Sequence, residues 1–118
     1  MRKKSLLFIG FILIGLFTRA QVPEGFNYQA VARDQTGAVL AEKTIAVRIG
    51  LLRGGPNEEP IYRELHEVTT NQFGLFSLVI GQGHVQTGKF STINWEENPF
   101  YIKIGIDPEG DGEYTSMG

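Results

Sequence analysis

Lys43-Thr44-Ile45-Ala46-Val47-Arg48-Ile49-Gly50-Leu51-Leu52-Arg53 places Ile45, Val47, Ile49 and Leu51 at every second position, with Thr44, Ala46, Arg48 and Gly50 between them. Successive side chains of an extended chain point to opposite faces, so this spacing predicts a strand with one buried face. The run stops at Gly54-Gly55-Pro56-Asn57, four turn-forming residues in succession.

The same period of two extends outward in both directions. Upstream, Phe26, Tyr28, Ala30 and Ala32 share one face, and Asn27, Gln29 and Arg33 take the other. Asp34-Gln35-Thr36-Gly37 then reads as a turn, and Val39-Leu40 resumes the pattern briefly. Downstream, residues 61–70 read as a strand. Its polar centre, Tyr62-Arg63-Glu64-Leu65-His66-Glu67, predicts a sheet edge or a wet face. Thr70-Asn71-Gln72-Phe73-Gly74 turns the chain into a further strand, Leu75-Phe76-Ser77-Leu78-Val79-Ile80. Residues 81–98 are looser and hold Phe90, Ile93 and Trp95. Phe100, Ile102, Ile104 and Ile106 line one face of the last clear strand, before a turn at Asp107-Pro108-Glu109-Gly110-Asp111-Gly112.

No window shows an amphipathic helix, and parallel strands would need a helical crossover. Short strands with turns roughly every 8–12 residues predict an all-β fold. The expected architecture is an antiparallel Greek-key β-sandwich of immunoglobulin or transthyretin type.

The N-terminus carries a different signal. Met1-Arg2-Lys3-Lys4 is a short basic head, residues 6–17 are apolar or glycine, and Thr18-Arg19-Ala20 offers small residues before a cut between Ala20 and Gln21. A membrane-spanning helix needs about 20 apolar residues, more than this run supplies. Residues 1–20 are therefore expected to be a signal peptide, with residues 21–118 exported to the medium or cell surface and no transmembrane segment left after processing. Tyr114-Thr115 begins another strand close to the chain end, so the module is expected to be truncated at its C-terminal side and to belong to something longer.

Beyond the leader, 7 basic residues face 13 acids, a charge of −6. The bases are scattered singly along the chain, which argues against nucleic acid as a partner. There is no cysteine. That excludes thiol catalysis, zinc-thiolate sites, redox roles and a lipidated N-terminal cysteine, and it leaves packing alone, or neighbouring domains, to hold a small exported domain.

Two resemblances follow from particular stretches. Phe26-Asn27-Tyr28-Gln29-Ala30-Val31-Ala32-Arg33-Asp34 resembles the opening of an N-terminal module found in secreted and surface Bacteroidota proteins of uncharacterised role. These often carry collagen-like or tail-fibre-like regions downstream. The likeness continues through Thr69-Thr70-Asn71, Phe73-Gly74-Leu75-Phe76, Phe90, Ile93-Asn94-Trp95, Asp107-Pro108, Tyr114, Met117 and Gly118. It implies neighbouring domains of the same longer chain as partners, and no particular activity. Members usually continue into a Leu-Ser-Val-Pro-Tyr-Ala-like segment, which is missing here, in keeping with truncation. More loosely, residues 33–40 and 70–76 are similar to carboxypeptidase-regulatory, transthyretin-like sandwiches, where the motif marks turns and core strands and brings no catalytic residues.

Candidate chemistry is thin. Gly81-Gln82-Gly83 lacks the third glycine and the following helix of a phosphate loop, and reads as a strand-ending turn. His66 shares a strand face with Glu64 but has no metal-type spacing to His84, which predicts a cross-strand polar or packing role. Asp107, Glu109, Asp111 and Glu113 alternate with Gly110 and Gly112 and offer oxygen ligands for Ca²⁺, although their spacing misses the EF-hand pattern. The alternative for these acids is a solvated hairpin turn, and no other cofactor is expected. Trp95, beside Glu96-Glu97-Asn98, is the aromatic best placed to stack on a sugar, against a packing role for aromatics generally. Ser77, Ser91 and Ser116 lack a nucleophile-elbow context. The expected function is a non-enzymatic exported structural or adhesion module, with a surface protein or glycan as an external partner. The alternative is a carbohydrate-binding module, calcium-assisted.

Overall fold

The computed structural model describes residues 25–97 and 99–117. The expected leader and its Ala20/Gln21 cleavage point lie outside the described residues. Seven strands follow in order: β1 (Phe26–Val31), β2 (Thr44–Arg53), β3 (Pro60–Thr69), β4 (Leu75–Ile80), β5 (His84–Thr87), β6 (Phe100–Asp107) and β7 (Thr115–Ser116). A single 3-10 turn, Phe90–Thr92, is the one helical element among the described residues. The chain is all-β, and every strand pairing is antiparallel.

The strands form two sheets. β1 and β4 make a two-stranded sheet, and a five-stranded sheet runs in the order β5-β3-β2-β6-β7. The alternation read from residues 43–53 places β2 at the centre of the larger sheet. It pairs with β3 from Thr44↔Thr69 onward and with β6 through Ala46↔Asp107 to Arg53↔Phe100. Its inward residues Ile45, Val47 and Ile49 meet Ile104 and Ile106 of β6 and Phe76, Leu78 and Ile80 of β4 in one core that both sheets share. Full burial of each such aliphatic side chain stabilises the fold by about 1.5–3 kcal/mol. Tyr28, Ala30 and Met117 pack partly buried against the same core.

Three expectations are corrected. First, residues 62–67 do not form a wet face on the side of Tyr62 and Glu64, and they form a sheet edge only beyond Leu65, where pairing with β5 ends. β3 lies between β2 and β5, and Tyr62 and Glu64 are both fully buried. Second, the loose stretch after Ile80 contains a strand, β5, which pairs with β3 at Arg63↔Thr87, Glu64↔Val85 and Leu65↔His84. Third, Ile102 shares a face with Ile104 but is 41% exposed. The short β7 pairs only with Gly105 and Ile106, which leaves the start of β6 at an open edge. The terminal strand does pair within this chain.

Thr70 closes the top of the larger sheet. Its hydroxyl donates to the Leu40 carbonyl at 2.5 Å and accepts the Lys43 N–H at 3.0 Å, so two loops are fixed by one buried side chain.

Candidate functional site

Among the described residues, polar side chains converge most closely on the buried face of β3. Strand alternation sets Tyr62, Glu64 and His66 on the same side, and β2 presents Leu51 and Ile49 opposite the first two. The Glu64 carboxylate is fully buried. Oε1 accepts the Tyr62 hydroxyl at 2.5 Å and the Gly81 N–H at 2.8 Å. Oε2 meets His66 Nε2 in a short contact and accepts the Gly83 N–H at 3.2 Å. Each oxygen of the buried carboxylate thus has two partners, as its desolvation demands.

Gly81-Gln82-Gly83 is indeed a strand-ending turn, and its backbone N–H groups cradle a side chain of the protein itself, Glu64. A Cβ on Gly83 would lie 2.6 Å from His66 Nε2 and 2.8 Å from Glu64 Oε2, so only glycine lets this backbone approach the carboxylate. Burial, followed by the bond to Glu64 and its charge, pushes the Tyr62 hydroxyl far above the ordinary tyrosine value. With its oxygens committed to Tyr62, His66 and the turn, Glu64 clamps β3 to the β4–β5 connection. The His66–Glu64 pairing runs along one strand, where a cross-strand partner was expected.

The acidic run is drawn into local structure. Asp107 is buried, and its Oδ1 accepts the N–H groups of Gly110 at 2.9 Å and Asp111 at 3.2 Å. Oδ2 accepts the Gly112 N–H at 2.8 Å. Burial opposes ionisation of Asp107, but these donors outweigh it and hold the carboxyl below its usual range. Asp111 accepts the Glu113 N–H at 2.9 Å, and Glu109 forms an exposed ion pair with Lys43 at 3.1 Å. Among the described residues, no group of three or more His, Asp or Glu side chains is arranged to hold a metal ion.

Trp95 joins a chain of rings. Its centroid lies 5.1 Å from Phe100, 5.5 Å from Phe90 and 5.9 Å from Phe26, and Phe90 stands edge-on to Tyr62 at 5.4 Å. These rings close one end of the core, while 38% of Trp95 stays exposed. The packing role expected of the aromatics and a solvent-facing side on Trp95 coexist in one residue.

A second kind of site consists of backbone. Among the described residues, β1 and β4 pair with each other and with no other strand, so each keeps one open edge. On β3, pairing with β5 ends at Leu65, leaving residues 66–69 unpaired on that side. A cleft of about 440 Å³ is lined by Glu67, Val68 and Thr69 of β3 and by Leu75, Phe76 and Ser77 of β4. Nearby, Val31 lies directly opposite Leu75 on the outer face, and Phe73 in the adjoining turn is 65% exposed.

This arrangement can now be placed among known proteins. A family described as Domain of unknown function (DUF8740) matches residues 27–117, from β1 through β7. The chain belongs to that family. No curated protein and no solved structure gives a significant match to this DUF8740 chain. The match spans the Glu64 clamp, the open strand edges and, apart from Phe26, the aromatic chain of the DUF8740 domain. Among its described residues, no helix is long and apolar enough to cross a membrane.

Proposed function

We propose that this chain is a non-enzymatic, exported structural and adhesion module, a Greek-key β-sandwich of immunoglobulin or transthyretin type that joins neighbouring domains of a longer surface or secreted protein by strand addition. The observation that carries this reading is the pair of unpaired edges, β4 and the far end of β3, facing one cleft. An edge strand offers a row of unsatisfied N–H and C=O groups, and an added strand satisfies them at once. The pleat gives such a strand alternate side chains for specificity, and the exposed Leu75 and Val79 add apolar surface beside it.

The leader at residues 1–20 supports an exported setting, and the resemblance to Bacteroidota surface modules supports the structural role. The non-enzymatic reading is supported by how the polar groups are used. Glu64 and Asp107 spend their oxygens on the protein's own donors.

Hydrogen exchange tests the proposal on the protein in its native surface assembly and after dispersal. Amides along β4 and residues 66–69 of β3 exchange more slowly in the assembly. Equal exchange in both states, or turnover of any substrate by the purified protein, overturns it.

A further inference from the structure

The outer face of the five-stranded sheet, away from the shared core and the open β4 edge, gathers three cations that the sequence keeps apart. Gly50 of β2 lies directly between Arg63 of β3 and Lys103 of β6, because the register pairs it with both. Adjacent strands are about 4.8 Å apart, so the two cationic residues stand roughly 10 Å from each other across a residue with no side chain. Arg48, two residues before Gly50, projects from the same face, and its guanidinium lies 4.3 Å over the Tyr114 ring. Pro60 closes the other side, and a Cβ on Gly50 would sit 3.6 Å from its ring. The result is a cleft of about 480 Å³ with Arg48, Arg63, Lys103, Tyr114, Asn57 and Glu58 in its walls.

Arg48 stacks on Tyr114, but among the described residues none of the three cations in this cleft is matched to a carboxylate. Lys43 and Arg53 each hold a carboxylate, Glu109 at 3.1 Å and Glu97 at 3.2 Å. Among the described residues, Arg48, Arg63 and Lys103 form no ion pair. Three cations against the two carboxylates of Glu58 and Glu59 leave the hollow with a net positive charge, which an anion placed over Gly50 neutralises. Arginine suits a planar carboxylate, which it grips with two parallel N–H bonds.

The rim narrows the class of anion. Glu58 and Glu59 also line the cleft. They disfavour a multiply charged phosphate group, yet they accept hydrogen bonds from hydroxyls, as the Asn57 side chain also does. A ligand with one carboxylate and several hydroxyls satisfies both halves. We infer that the Arg48–Arg63–Lys103 cleft binds a uronic-acid residue of an acidic polysaccharide, with the carboxylate over Gly50 and the hydroxyls toward residues 57–59. The site uses residues separate from the strand-addition edge and stands independently of it.

Titration calorimetry of the exported protein with oligogalacturonate, neutral galactose oligomers and inorganic phosphate tests this inference. Oligogalacturonate binds, more weakly as salt is raised, and neither of the other two probes matches it. The double variant Arg63→Gln, Lys103→Gln weakens binding about tenfold or more, which is one lost charge-assisted hydrogen bond or more. Both substituted residues lie on the outer face of the sheet, and an unchanged thermal midpoint confirms that the variant is folded. Trp95→Ala leaves the affinity unchanged, which separates this cleft from a sugar platform on the aromatic chain. If the double variant unfolds, the single charge reversal Lys103→Glu at an exposed residue gives the same reading. No binding of oligogalacturonate, equal binding of phosphate, or binding that survives these charge variants overturns the inference.

Discussion

Tyr62 and Glu64, two residues apart on β3, are joined by a 2.5 Å hydrogen bond inside the buried face of the sheet, with the hydroxyl donating to Oε1. That bond is the centre of a network in which the same carboxylate also anchors the turn at Gly81 and Gly83. A strand that reads as polar is therefore internal because its acid is fully partnered.

Truncating Glu64 strands the Tyr62 hydroxyl and two backbone N–H groups in the interior. Glu64→Ala is expected to destabilise the fold by about 3 kcal/mol or more, whereas Tyr62→Phe costs about 1–2 kcal/mol. Urea unfolding of both variants checks the order, and a Glu64→Ala variant as stable as the parent would contradict the network.

The tyrosines set an alkaline limit. Burial raises the Tyr28 hydroxyl above 10.0, and burial with Glu64 raises Tyr62 further. The unfolded chain then releases these protons first, so stability is complete below pH 10 and falls as pH rises beyond it. Urea midpoints measured between about pH 9 and about pH 11 should drop in the parent and drop less in Tyr62→Phe.

Asp107 sets the acid limit with the opposite sign. Its folded carboxyl titrates below 3.8, so its contribution is present above that value and is lost as pH falls through the lower folded one. Asp107→Asn should flatten the acid side of the stability profile, because its amide cannot accept the Gly110, Asp111 and Gly112 bonds with both ends. Acid titration of far-ultraviolet circular dichroism compares the two proteins.

Gly88 has φ of +79°, and a Cβ there would collide with the Ile61 carbonyl. Gly88→Ala is expected to cost about 1–3 kcal/mol and to loosen β5 from β3. Faster amide exchange at residues 84–87 in that variant, with β2 unaffected, is the expected signature.

Trp95 is the only tryptophan. Replacing it with alanine removes three ring contacts, at a cost of about 2–4 kcal/mol given its partial exposure. In the parent, its fluorescence should shift to longer wavelength together with loss of the β signal, since the rings close the end of the same core.

Much of the fold was legible because apolar residues at every second place can be buried only on one side of a strand. Ile45, Val47 and Ile49, then Phe76, Leu78 and Ile80, then Ile104 and Ile106, announce the inner faces of β2, β4 and β6 without any knowledge of partners. β5 could not be read this way. All four of its residues are exposed, so no burial contrast marks it, and it exists through backbone pairing with β3. Glu64 was misleading for a related reason. Two of the groups that make its burial affordable lie 17 and 19 residues further on.

The sequence by itself determined the strand period, the turn positions and the near-absence of helix, since these depend on neighbours one or two residues away. Only the tertiary structure decided which charges meet. Arg63 and Lys103, scattered cations in the linear chain, flank Gly50 because hydrogen-bond register on both sides of β2 brings them there, and register is a property of paired strands.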